Sequence, residues 1–257
     1  MNWLNSCAGF VVGLLVGFTG VGGAALMTPL LVLVFGIAPQ TAVGTDLLYA
    51  SVTKSVGSSI HGALGAVDWY VLRHLWLGSL PTAVATILVL HGTKVGDELS
   101  HLILPILSVA LVCTGIIMLA SRRLVERLNQ SSFPERLKRF QPVMTVVAGG
   151  ILGFLVTLTS VGAGAIGAVM LVYLYPKRLR GQKLVGTDIA HAIPLTLVAG
   201  LGHAQLGHVD FGLLVSLLLG SIPGIAVGSF LSHRSSPHVI RSAIAVMLII
   251  VGAKLFT

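Results

Sequence analysis

Apolar residues run almost unbroken through eight stretches, at about 6–35, 41–60, 69–90, 101–120, 142–174, 184–202, 211–231 and 239–256, with polar residues gathered between them. Most stretches have about 20 residues, the length an α-helix needs to cross a hydrocarbon core of about 30 Å, and so predict transmembrane helices. Those at 6–35 and 142–174 are too long for one upright crossing and too short for two with a turn. Each is broken by a glycine cluster, Gly17-Phe-Thr-Gly-Val-Gly-Gly23 in the first and Thr157-Leu-Thr-Ser-Val-Gly-Ala-Gly164 in the second. Glycine weakens a helix and permits sharp reversal, so both stretches are expected to be re-entrant helical hairpins. Eight full crossings, four per half, is the alternative.

Composition agrees with that pattern. Of 257 residues, 55% are hydrophobic and 9% charged, with mean hydropathy +0.96, which excludes a water-soluble globule. Cys7 and Cys113 have neither disulfide-framework nor metal-ligand spacing and are expected to be packing residues. The N-terminus carries no basic residue ahead of its apolar run, so a removable signal peptide is not expected.

The chain repeats itself. His61-Gly-Ala-Leu-Gly65-Ala-Val67-Asp68-Trp69 aligns with His203-Ala-Gln-Leu-Gly207-His-Val209-Asp210-Phe211 at an offset of 142 residues. The same offset carries Val43-Gly44-Thr45-Asp46 onto Val185-Gly186-Thr187-Asp188, and Gly78-Ser79-Leu80-Pro81 onto Gly220-Ser221-Ile222-Pro223. The expected fold is an all-α polytopic membrane protein of two inverted-topology repeats, each a hairpin plus three transmembrane helices. Residues 1–120 and 142–257 form the membrane repeats, and the basic segment 121–141 is a cytoplasmic linker loop. With that loop inside, every Lys and Arg except Lys54, Lys94 and Lys254 falls on the cytoplasmic side, the 176–183 cluster included. The net charge of +8 therefore reports topology, and no nucleic acid is expected as a partner.

Inverted repeats whose broken helices meet near the midplane are an architecture of secondary transporters. At each break a half-helix starts, offering free N–H groups and the positive end of its dipole to an anion. Thr19, Gly20, Gly22 and Gly23 in the first half, with Thr159, Ser160, Gly162 and Gly164 in the second, are the candidate anion-binding residues; tight helix packing is the plainer reading of the glycines. Besides Arg73, Arg241 and Lys254, which the topology assigns to the flanks, three residues within the apolar stretches carry formal charge, and intramembrane charge is costly. Asp46 and Asp188 are helix caps or binders of a coupling proton or Na+. Lys54 either attracts an anion or pairs with Asp46 or a carbonyl. His191, three residues beyond Asp188, either exchanges protons with it or is a hydrogen-bonded packing residue. The repeated His61, Asp68, His203 and Asp210 are expected to fix tight turns. No catalytic residues, cofactor or metal site are expected. A Gly-x-x-x-x-Gly-Lys-Ser/Thr sequence is absent, so ATP is not the expected energy source.

These motifs resemble the TauE/SafE sulfite exporter family of anion permeases over almost the whole chain. The matching pieces are Gly20-Val-Gly-Gly23 with Pro29 and Gly36, Ala42-Val-Gly-Thr45, His61-x-x-x-Gly65-x-Val67-Asp68-Trp69 and Gly78-Ser-x-Pro81. The resemblance implies a multi-pass permease of the bacterial inner membrane that exports small sulfur-containing anions such as sulfite, thiosulfate or organosulfonates. Another small anion, or a non-transporting membrane subunit, is the alternative. Its partners would be the anion, the lipid bilayer and an H+ or Na+ coupling ion, with homo-oligomerisation open. Ala24, Ala163 and Thr82 depart from the family's pattern, as do Asp46 and Asp188, which follow Gly-Thr where Ser is frequent.

Overall fold

The computed structural model describes residues 3–19, 26–61, 66–92, 96–130, 134–232 and 238–256. Its elements are α1 (Trp3–Thr19), α2 (Met27–Leu33), α3 (Pro39–His61), α4 (Trp69–Gly92), α5 (Gly96–Gln130), α6 (Gln141–Thr159), α7 (Ala165–Leu174), α8 (Gln182–Gln205), α9 (Phe211–Ser232) and α10 (His238–Phe256). A 3-10 turn, Glu135–Phe140, precedes α6, and the described residues contain no strand. Within segment 121–141, residues 121–130 continue α5, because their Arg-, Leu- and Glu-rich sequence favours helix beyond the apolar span.

Five helices are long and apolar enough to cross a membrane: Trp69–His91, Leu102–Ala120, Lys138–Thr159, Gln182–Gln205 and Phe211–Leu231. Shorter apolar helices lie at Trp3–Phe18, Ala165–Leu174 and Ser242–Leu255. The outward surface is apolar, with Val11, Leu77, Leu88, Val147, Phe154 and Ile250 all exposed, as a lipid-facing surface requires. Helix α3 has 23 residues but too polar a sequence for a lipid-facing span, and its residues from Ala42 to Ser51 are buried among other helices. Cys7 and Cys113, expected in packing, are instead exposed. Each is small and weakly polar, which lipid-facing positions tolerate.

The helices pair across the two halves. Helix α1 packs along α9, α6 along α4, α5 along α10, and α3 against both α8 and α9. The first two pairs rest on glycine. A Cβ on Gly13 would collide with the backbone of Ser221, and one on Gly224 with the backbone of Phe10. In the other half a Cβ on Gly153 would strike the carbonyl of Ser79, and one on Gly78 that of Val146. Small residues at four-residue spacing bring helix backbones together where lipid supplies no hydrophobic drive for association.

Helices α6 and α7 return the chain to the level at which it entered. The Gln141 side chain, at the start of α6, donates to the Leu174 carbonyl at the end of α7 (2.8 Å), and the Thr145 hydroxyl lies 2.8 Å from that of Tyr175. The arms are unequal, with 19 residues in α6 and 10 in α7. At 1.5 Å per residue, α6 reaches about 28 Å and α7 spans about 15 Å, so α7 begins near mid-depth of a core about 30 Å thick.

Glycine at the helix pairs makes a specific demand. Gly153→Leu is expected to lower the melting temperature of the detergent-solubilised protein, an overpacking cost of about 1–3 kcal/mol. Gly57→Ala, where the nearest atom to the new methyl is Ile225 Cγ2 at 3.9 Å, is expected to leave it unchanged. Equal melting temperatures for both variants would contradict the glycine-dependent packing.

Candidate functional site

The chain reverses between the far end of α6 and the start of α7. Ser160 takes a left-handed conformation (φ 58°), while its N–H closes α6 on Val156 O at 2.8 Å. Gly162 and Gly164 have φ of 119° and 133°, backbone geometry that a side chain would strain. The Thr159 hydroxyl is spent on the turn itself, donating to Leu155 O (2.7 Å) and accepting from Val161 N–H (3.1 Å). Backbone bonding resumes with Gly167 N–H to Gly162 O (3.2 Å) and Ala168 N–H to Gly164 O (2.9 Å). The first N–H groups of α7 precede any acceptor of their own helix and open onto the break. In the first half, Gly20, Gly22 and Gly23 and the side chain of Thr19 lie outside the described residues.

The intramembrane charges gather at this break. Lys54 donates to the Ala163 carbonyl, inside the break, at 3.3 Å. The carboxylates whose charge reaches it are Asp188 and Asp46. Asp188 Oδ1 lies against Gly167 in the first turn of α7 and has no hydrogen-bond partner. Asp46 is fully buried; its Oδ2 accepts from both the backbone N–H (3.2 Å) and the hydroxyl of Thr28, at the start of α2. Its Oδ1 has no partner, and neither does the hydroxyl of Ser160; Val43 and Leu47, around Asp46, pack with Val156 and Ala163, around Ser160. His191 is buried and bonded to the Ser79 hydroxyl (2.8 Å). Lys54, Asp188 and His191 thus gather around one seam between the halves, and Asp46 lies on the same seam, about 12 Å along α3 from Lys54.

The repeated motifs bond to each other across the halves. Thr45, on α3, accepts the backbone N–H of Asp210 (3.1 Å), and Thr187, on α8, accepts that of Asp68 (3.0 Å). Asp68 and Asp210 then cap α4 and α9, their Oδ1 atoms accepting from Val71 (3.3 Å) and Leu213 (2.9 Å). Asp68 and Asp210 thus start their helices while held by partners in the opposite half; the side chain of His61 lies outside the described residues. His203 bonds the Thr157 carbonyl at the end of α6 (2.9 Å).

The two ends of the molecule differ. Arg178 grips Asp68 through Nε (2.6 Å) and Nη2 (2.9 Å), with Lys183 Nζ at 3.1 Å. This bridge holds the 176–183 cluster and the loop before α4 on one face. Burial alone would raise the Asp68 carboxyl, but donation from Arg178, Lys183 and the Val71 N–H outweighs it and holds the pKa at about 2. At the opposite end Asp210 borders a cavity of about 570 Å³ lined also by Asn5, Phe35, Ile37 and Ser216.

Thr28, Ser79 and Arg178 belong to this network and were not singled out as site residues from the sequence. Ser79 was within reach, since Gly78-Ser79 recurs as Gly220-Ser221. Thr28 was not, because its counterpart at an offset of 140 is Ala168.

An all-helical chain with an apolar exterior and a charged seam between its halves is a multi-pass membrane protein of transporter type. It matches the family Sulfite exporter TauE/SafE over residues 6–255, and belongs to that family. Among curated proteins it is 39% identical to the Probable membrane transporter protein YjnA of Bacillus subtilis, over 96% of each chain. It is 26% identical to the Probable membrane transporter protein YdhB of the same organism, again over 96% of each. A Probable membrane transporter protein of Xylella fastidiosa matches at 23% identity over 95% of this chain and 91% of its own. No solved structure matches.

The Asp68 bridge sets a pH signature. Its folded pKa lies below the unfolded value of about 3.9, so its stabilisation is complete above about pH 5 and fades as pH falls through 4 towards 2. Because Arg178 and Lys183 are nearly half exposed, solvent screening limits the effect to about 1 kcal/mol. Asp68→Asn is expected to lower the melting temperature at pH 7 and to flatten its fall between pH 5 and 3. An unchanged profile in the variant would refute the bridge.

Proposed function

We propose that this membrane transporter is a permease for small sulfur-containing anions such as sulfite, thiosulfate or organosulfonates, and that it exports them by alternating access. Residues 1–120 and 142–257 act as two inverted halves rocking about the hairpins, with 121–141 as their cytoplasmic link. The anion binds at the α6–α7 break, where N–H groups from Gly162 to Ile166 and the Ser160 hydroxyl replace its water and Lys54 supplies the attracting charge. The substrate class rests on the family name. The observation that carries the site is the placing of the α7 N-terminus at mid-depth, between the halves and beside Lys54.

Energetics favour that direction of transport. A membrane potential negative inside drives anion efflux by about 2.3 kcal/mol per charge per 100 mV, with no nucleotide required. The Arg178–Asp68 bridge joins the halves at the end assigned to the cytoplasm, and the cavity at Asp210 lies at the other. That arrangement fits one closed and one more open face.

Exchange of radiolabelled sulfite, thiosulfate, sulfate and a sulfonate into proteoliposomes holding only this protein is the test. At least one anion is expected to exchange saturably. Gly162→Leu is expected to reduce that exchange roughly tenfold or more, as misplaced preorganised donors do, while the protein stays monodisperse. Wild-type rates in the well-folded variant would overturn the site, and the absence of exchange for every anion would overturn the substrate class.

A further inference from the structure

The two halves carry matching carboxylates but only one fixed cation. Asp188, in the second half, faces Lys54 of the first. The residue related to Lys54 by the 142-residue offset is Thr196, whose hydroxyl is turned back onto the Ala192 carbonyl of its own helix (2.9 Å). Asp46 therefore lacks the fixed positive charge that its counterpart has. Its surroundings bring no other. Helix α3 itself presents Tyr49, plus Lys54 about 12 Å away. Helix α2 presents Thr28, and α8 presents Asp188 and the Ser79-bonded His191. From α9 comes Ser221, and from the end of α6 Ser160. Among the described residues the seam thus holds two carboxylates against one ammonium, a net buried charge of −1. Burying an uncompensated charge is strongly unfavourable.

Two buried oxygens mark where the compensation belongs. Asp46 Oδ1, on a fully buried residue, and Ser160 Oγ, on a residue 5% exposed, both lack a hydrogen-bond partner, and Val43 and Leu47, on either side of Asp46, pack in one cluster with Val156 and Ala163, on either side of Ser160. Ser160 is the one non-glycine with positive φ among the described residues, and the residue at its place in the first half is Gly20. A serine in that conformation costs more than glycine would, and what it adds is a buried hydroxyl oxygen without a partner.

We infer that Asp46 Oδ1 and Ser160 Oγ form a monovalent-cation site, occupied by H+ or Na+, that stands where Lys54 stands opposite Asp188. The site exists independently of what the transporter moves; its role as the coupling site rests on the anion-permease reading. Anion binding at the α6–α7 break adds negative charge to the seam, so cation and anion bind together and move in the same direction. For a divalent anion one negative charge still crosses per cycle, and the membrane potential continues to favour export.

Infrared difference spectroscopy of the whole protein in lipid, titrated in sodium-free buffer and again with added NaCl, reads this site without any flux. The expected result near neutral pH is the carbonyl stretch of a neutral carboxylic acid, lost in Asp46→Asn and kept in Asp188→Asn. Its disappearance on adding Na+, with no effect of K+, would identify Na+ as the occupant; its persistence would identify H+. Thr196→Lys, which supplies the missing fixed cation, is expected to abolish the band without Na+ while the protein stays monodisperse. A band that follows Asp188 instead of Asp46, or a folded wild type with neither a neutral carboxyl nor a Na+ response, would overturn the inference. Anion exchange measured on the same preparations reports separately on the permease reading.

Discussion

Close backbone approach between the first helix of each half and the fourth helix of the other is the constraint on which the rest of this structure depends. In lipid there is no hydrophobic drive to bring helices together, so van der Waals contact between backbones must do it, and only glycine allows it. Gly13 against Ser221 and Gly153 against Ser79 set the separation of α1 from α9 and of α6 from α4. These two pairs tie each half to the other. With α6 held against α4, the turn at Ser160 and the short α7 have a fixed place in the membrane. Ser79, on the glycine-contacted face of α4, is then in position to bond His191.

Within that frame the buried polar groups are arranged by the same relation between halves. Thr45 and Thr187 each hold the capping aspartate of the opposite half, and His191 with Ser79 occupies the place that Tyr49 and Ser221 occupy on the other side. Departures from the symmetry fall on charged or bonding residues: Lys54 against Thr196, Thr28 against Ala168, and Arg178 with Lys183 on one face against a cavity on the other. These differences place an ion bridge on one face, a cavity on the other and a fixed cation in one half.

Much of this was legible in the residues, and what was not has physical reasons. Helix positions followed from hydropathy, and the turn at Gly162 and Gly164 from glycines whose positive φ values few other residues accept. The 142-residue offset showed that Thr45, Asp68, Ser79 and their counterparts matter, but alignment in register cannot reveal that Thr45 bonds Asp210 instead of a residue in its own half. Arg178 read only as one charge in a topology cluster, because a bidentate grip on Asp68 depends on how α7 ends. The unequal hairpin arms escaped notice since an apolar run of 33 residues has no marker of where its helix stops. Helix α3 read as an ordinary span, whereas its polarity is accommodated by burial among helices α2, α8 and α9.

We propose that α6 and α7 enter and leave on one side of the membrane, which leaves the break between them buried between the halves. Single-cysteine labelling with a membrane-impermeant maleimide tests it directly, after the exposed Cys7 and Cys113 have been replaced by serine. Arg139→Cys and Lys177→Cys, on either side of the hairpin, are predicted to label from the same face of sealed vesicles, and Gln205→Cys from the other. Labelling of Arg139→Cys and Lys177→Cys from opposite faces would mean that the hairpin crosses the membrane, and would contradict the account.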